Sequence, residues 1–363
     1  MQGSPAEYLL DGKNATFLQG KTLHVPDLRP LYANYRQAMN PFYQRLKDTF
    51  DTLLESCLHE QKQIDKIRRT DFAKMASLCY PDAEWDRLQV IGQLLLWLFL
   101  WDDEIDRKID PSCSTFASTL TLGNAYRKQS LQYVENELNP QAAQKIEAPT
   151  GACGIFEEFA PTLLNAGAQV SISQLIEDVR CFITCNGEEQ RLRLSGILPT
   201  PDHYWTFRHG TGGMDCLSTV VQYVTDTNLP DEIVWSEEVF TMRREASKNV
   251  LLMNDLLSLR KEVHDSTPMS MVPIIVHTEG KSLTEAVDYV MEELQVSTGS
   301  FDAATDALRC KCKLLCPDKV AEVNRFIGPF ETFQSGFFEW SKSCPRYGIK
   351  FYEQADGSFS IPL

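Results

Sequence analysis

What the 363-residue sequence lacks narrows it before what it contains does. It has no basic start leading into an apolar core, so no signal peptide is expected and the cytoplasm is the expected compartment. No apolar run reaches the ~20 residues of a membrane span. The strongest candidate, VIGQLLLWLFL from Val90 to Leu100, is too short and reads instead as a helix buried on all sides. Strand-like alternation is scarce, and no repeat period, low-complexity tract or linker divides the chain. Positive charge is in deficit, with 35 Lys and Arg against 50 Asp and Glu, a net charge of −15. That balance argues against nucleic acid and anionic membrane surfaces as partners. Eleven cysteines form an odd count without a framework. Their one cluster, Cys310, Cys312 and Cys316, has no His nearby to complete a zinc site, so reduced thiols are expected. No Ser-His-Asp or Cys-His arrangement for nucleophilic catalysis is present.

Helical signals fill the space these absences leave. Ser282-Leu-Thr-Glu285 predicts a capping box ahead of AVDYVMEEL. Thr200-Pro201-Asp202 predicts an N-cap with proline at the first helical position. That helix should break at Gly210-Thr-Gly-Gly213, where three glycines remove helix-favouring side chains. Phe326, Phe330, Phe333, Phe337 and Trp340 recur at spacings of four and three and share one helical face. The expected fold class is all-α, with residues 1–363 forming one domain whose core spans roughly 25–350. The irregular stretches 139–154, 195–201 and 264–268 are short enough to be interhelical loops.

The same greasy helix carries WDDEID at its end. If the helix continues, Asp102, Asp103 and Asp106 share roughly one face, and few Lys or Arg lie nearby to offset them. Alone, the motif reads equally well as a solvated acidic helix end. A second set, Asn254, Ser258 and Glu262 in NDLLSLRKE, stands at i, i+4 and i+8 and lines one face, with a drift of about 40°. Oxygen donors without His or Cys suit a hard cation such as Mg²⁺, which takes one or two carboxylates and leaves its other positions to water and phosphate.

With both motifs in view, the chain resembles a class I terpene synthase of the microbial, fungal sesquiterpene cyclase type. DDEID matches that family's DDxxD motif and NDLLSLRKE its (N/D)DxxSxxxE motif. Arg208 falls at the diphosphate-sensing position, and Thr211 and Gly212 at the linker and effector positions of the helix break. Lys261 precedes the last metal ligand, and Arg346-Tyr347 reproduces the C-terminal RY pair. The linker, often acidic in relatives, is Thr here. The resemblance implies three Mg²⁺ ions, a prenyl diphosphate as partner, and Arg208, Lys261, Arg346 and Tyr347 as donors to its diphosphate. Farnesyl diphosphate giving a cyclic sesquiterpene is the expected reaction. Geranylgeranyl diphosphate as substrate, a prenyl-chain elongase and a non-catalytic metal-binding protein are the alternatives. No DxDD motif supports protonation-initiated cyclisation. Trp340, six residues before Arg346, is the aromatic singled out for the cavity wall, with Phe99 and Trp101 as further candidates. His203 and His209 are read as structural or exposed. A homo-oligomer is left open.

Overall fold

The computed structural model describes residues 8–9, 17–106, 115–265 and 268–363, and they are overwhelmingly helical. The principal helices are α1 (Tyr43–Cys57), α2 (Gln61–Thr70), α3 (Phe72–Cys79), α4 (Trp85–Asp106), α5 (Leu120–Glu137) and α6 (Ile172–Ser195). There follow α7 (Pro201–Thr211), α8 (Met214–Thr219), α9 (Glu237–Leu257), α10 (Leu259–Asp265), α11 (Met271–Thr278), α12 (Leu283–Leu315) and α13 (Val320–Ser343). Two minimal antiparallel pairings complete the frame, Tyr8–Leu9 with Ile197–Leu198 and Thr22–Val25 with Phe359–Pro362.

The helix boundaries follow local chemistry. Ser282 and Glu285 form the reciprocal capping box that opens α12. Thr200 accepts from the His203 N–H at the start of α7. The break after α7 has two causes. Gly213 adopts φ +65°, a left-handed conformation that side chains resist, and a Cβ on Gly212 would lie 2.4 Å from Leu251 Cδ2. The segments read as loops are less irregular than expected. Gly151–Gly154 is a helical turn and Ile197–Leu198 a strand, while His264 and Asp265 still belong to α10.

α4 is apolar on nearly every side because neighbours cover it all round, with Leu88, Leu94, Leu96, Trp97 and Trp101 fully enclosed. The indole N–H groups inside that shell are satisfied: Trp97 donates to the Cys153 carbonyl at 3.1 Å and Trp101 to Ser130 Oγ at 2.9 Å. α9 lies against α12, with Asn249 Nδ2 donating to Thr298 Oγ1 at 2.7 Å. Across the bundle α13 meets α3 closely, since a Cβ on Gly336 would stand 2.6 Å from the Leu78 backbone. One contiguous buried cluster runs from Leu18 to Ile361. The ten cysteines among the described residues are all free. Among the described residues no helix is long and apolar enough to cross a membrane.

Candidate active site

The ends of α4, α6, α7, α9, α10 and α13 surround a cavity of about 180 Å³. Its deep wall is apolar, with Met75, Leu95, Leu98, Leu217, Val250 and Leu251. Four aromatic rings, Phe99, Phe182, Phe333 and Phe337, also line it. At the other end polar groups converge: Asp102, Asp106, Glu189, Arg193, Arg208, Asn254, Ser258, Lys261, Glu262, Arg346 and Tyr347.

The helix of WDDEID does continue to Asp106, and this divides the three aspartates. Asp102 and Asp106 face the cavity, whereas Asp103 does not line it. Asp103 is gripped instead by Arg346, whose two terminal nitrogens donate to its two oxygens at 2.8 and 3.0 Å. Burial works to raise its pKa, but the Arg346 charge and forked hydrogen bonds outweigh it and hold the carboxyl at about 2. Asp102 is pushed the other way, well above the ordinary range, by burial and then by the charges of Asp106 and Glu189. Asp106 meets Arg193 Nη2 at 3.5 Å.

On the opposite wall, α9 ends at Leu257 and α10 begins two residues later, so Asn254, Ser258 and Glu262 straddle a joint and still line one side. Ser258 donates to Glu262 Oε1 and Ser270 to Oε2 at 2.7 Å. Burial followed by the Asp255 charge raises the Glu262 pKa. Asn254 is central: its Nδ2 donates to Tyr347 Oη at 2.8 Å, while its Oδ1 accepts from Arg208 Nη2 at 2.8 Å. Asp255, the residue between the spaced positions, points the other way into the core. There it accepts from Arg208, from the Tyr204 hydroxyl and from the Met271 N–H at 2.9 Å.

Thr211 and Gly212 both reach the cavity. The Thr211 hydroxyl donates to the Arg208 carbonyl at 3.3 Å, so the guanidinium is oriented by Asn254 and Asp255 rather than by the residue at the linker position. Lys261 lies 3.9 Å from Asp265 at the cavity edge.

Trp340 is not part of the wall. It is wholly buried, donates its indole N–H to the Thr70 carbonyl at 3.0 Å, and packs behind Phe99, Phe337 and Tyr347. The helical stripe that suggested it points mainly into the α13–α3 interface, and only Phe333 and Phe337 emerge at the cavity. Of the weaker candidates, Phe99 lines the cavity. Trp101 instead stacks on Tyr126 and is fully enclosed.

α6 supplies three lining residues that no motif marked: Phe182, Glu189 and Arg193. With Asn186 they recur at spacings of four, three and four, a stripe that mixes an aromatic with polar groups on one face of a helix. The Glu189 carboxyl is raised to about 7, first by burial and then by Asp106, against the pull of Arg208 and Arg193.

Does this constellation fit a cation and an anion? The facing donors are all oxygens, and Asp102 is destabilised as an anion by burial and then by its acidic neighbours, which a cation would relieve. Among the described residues no three carboxylate, imidazole or thiolate groups converge into a cage. The diversion of Asp103 to Arg346 is one reason, and what remains suits a hard ion that shares few protein ligands. For the anion, the Nε atoms of Arg208 and Arg193 are buried without a hydrogen-bond partner, a costly arrangement that an incoming acceptor would correct.

Comparison with known proteins agrees with this geometry. Residues 93–297 match the family described as terpene synthase family 2, C-terminal metal binding. The chain is 30% identical to the sesquiterpene cyclase hepA of Aspergillus oryzae over 93% of each chain. It is 25% identical to the terpene cyclase braA of Annulohypoxylon truncatum, over 90% of this chain and 86% of that one. The fold is shared with germacradien-4-ol synthase from Streptomyces citricolor (TM-score 0.70, 16% identity, 85% of this chain and 96% of that one).

Proposed function

Because the chain belongs to the terpene synthase family, we propose that it ionises farnesyl diphosphate in an Mg²⁺-dependent reaction and cyclises the resulting allylic cation to a sesquiterpene. The observation that carries this reading is the polarity of one cavity. Oxygen donors from α4 and from α9–α10 face each other beside unpartnered guanidinium nitrogens at one end, and aromatic and aliphatic side chains close the other.

Asp102 and Asp106 would hold metal on one side, and Asn254, Ser258 and Glu262 on the other. Bound Mg²⁺ supplies Lewis-acid charge to the diphosphate oxygens. Arg208 offers its free Nε, and Lys261 and the Tyr347 hydroxyl stand at the same end to donate to the departing diphosphate. Arg346 closes that end through its pair with Asp103, so in this reading Asp103 positions an arginine instead of ligating metal. The apolar wall keeps water from the cation, and Phe99, Phe182, Phe333 and Phe337 present π faces along its path. Gly212 keeps the helix break thin enough for Leu251 to pack against its backbone. The fifteen-carbon substrate is supported by relatives named as sesquiterpene cyclases.

The test is product analysis by gas chromatography with mass detection. Purified protein is incubated with geranyl, farnesyl or geranylgeranyl diphosphate, each with and without isopentenyl diphosphate and Mg²⁺. A cyclic C15 hydrocarbon or alcohol from farnesyl diphosphate alone is expected. A longer prenyl diphosphate that forms only with isopentenyl diphosphate would replace the cyclase reading with an elongase.

A further inference from the structure

Beyond Arg346 and Tyr347 the surface opens into a second basin of about 770 Å³. Lys66 and Arg69 of α2 line it, with Arg260, Lys261 and His264 of α10 and Arg346. Asp265 is the one carboxylate side chain among its lining residues. A chain with a net charge of −15 has thus placed five cationic side chains around one concavity. Two of the five are offset, Arg346 by Asp103 at 2.8 Å and Lys261 by Asp265 at 3.9 Å, which leaves Lys66, Arg69 and Arg260 as the uncompensated charge. The acids near α2, Asp51, Glu55 and Asp65, are taken by Arg68. Lys66 and Arg69 are exposed, and neither is ion-paired among the described residues. Arg260 is held by neutral groups, lying 5.0 Å over the Tyr352 ring and donating to the Pro362 carbonyl. Lys261, Asp265, Arg346 and Tyr347 line both concavities, so the basin adjoins the polar end of the inner cavity.

We propose that this basin is an outer diphosphate-binding site, a proposal that rests on the cyclase reading of the inner cavity. Clustered positive charge beside a low-dielectric cleft raises the local concentration of a polyanion. Here it faces the only end of the inner cavity where a diphosphate is chemically suited. Both substrate on arrival and pyrophosphate on departure carry that group.

Isothermal calorimetry with inorganic pyrophosphate, in chelator and at low ionic strength, reads the basin without turnover. The wild-type chain is expected to bind, and the Lys66→Glu, Arg69→Glu double variant to bind about tenfold more weakly or worse. The double Gln variant should fall between them, and added salt should narrow the differences. Equal affinities in chains with matching thermal melts would overturn the proposal. Kinetics with farnesyl diphosphate and Mg²⁺ then separate the two sources of the ligand. A lower kcat/KM with a weaker salt dependence in the Glu variant identifies the arriving substrate. A steady-state rate that changes while the single-turnover rate does not identifies the departing product. No kinetic change at all would overturn a role for the basin in the reaction. Pyrophosphate binding that is lost in the Glu variant, in a chain that makes no terpene from any prenyl diphosphate, would overturn the cyclase reading and leave the anion site standing.

Discussion

Replacing Arg208 with lysine keeps the positive charge and removes the fork, which isolates what the fork does. The guanidinium side chain is 13% exposed, and its Nη2 is shared between Asn254 at 2.8 Å and Asp255 at 3.0 Å. Its Nε is buried and unpartnered, and the side chain lines the cavity. An ammonium is a compact charge on a shorter reach, and anchoring it to Asp255 leaves no planar second donor for a phosphate oxygen. Lysine still compensates the fully buried Asp255, so the fold should survive. Alanine would strand that carboxylate at a cost of about 3–5 kcal/mol and confuse stability with function. Loss of one charge-assisted hydrogen bond is worth about 1.5–3 kcal/mol. Expressed in the transition state, that is roughly a ten- to hundredfold fall in kcat/KM. Coupled detection of pyrophosphate release from farnesyl diphosphate measures it, with a thermal melt as the folding control. A folded Arg208→Lys variant within about twofold of wild type would refute the assignment of Arg208 to the departing diphosphate.

Three further outcomes follow from the same geometry. Trp340→Ala should lower stability by about 3–5 kcal/mol in denaturant titration, because it empties a fully buried site. Trp340→Phe should lose less, chiefly the bond to Thr70; unchanged stability in the alanine variant would put this side chain elsewhere. Phe337→Ala removes a ring from the cavity wall, where a desolvated cation–π contact is worth about 2 kcal/mol, and should shift the product distribution toward acyclic or early-quenched terpenes. An unchanged chromatogram would argue against its contact with the cation. Glu189 is raised from 4.5 to about 7 in the fold, so its contribution to stability is complete below the unfolded value and is lost as pH rises through about 7. The metal-free protein should therefore melt progressively lower across that window, and Glu189→Gln should flatten the slope. Parallel slopes for the two proteins would contradict the placement of Glu189.

The sequence made the cavity-facing oxygen donors legible because helical spacing is strict. Asp102 and Asp106, and likewise Asn254, Ser258 and Glu262, reach the cavity as their intervals predict. The glycine break, the Ser282–Glu285 capping box and the Thr200 N-cap were readable for the same local reason. Asp103 was not, since its partner Arg346 lies 243 positions away and the preference for a bidentate ion pair is a tertiary fact. Trp340 was misplaced because periodicity identifies a buried face without saying whether it meets another helix or a cavity. Glu189 and Arg193 belong to no recognised spacing. Their signal was subtler, charged residues recurring on the same face as Phe182 and the buried Asn186 of α6.

In the proposed reaction two oxygen faces, one on α4 and one across α9–α10, act together through bound metal on one diphosphate. The Mg²⁺ dependence of pyrophosphate release tests it most directly, compared between wild type, Asp102→Asn and Glu262→Gln. Each substitution removes one carboxylate from a different wall while preserving side-chain size. Each should raise the half-saturating Mg²⁺ concentration about tenfold or more, given about 1.5–3 kcal/mol for a lost charge-assisted contact, and chelator should abolish release in all three. Release that persists in chelator, or both variants saturating at the wild-type Mg²⁺ concentration, would contradict the account.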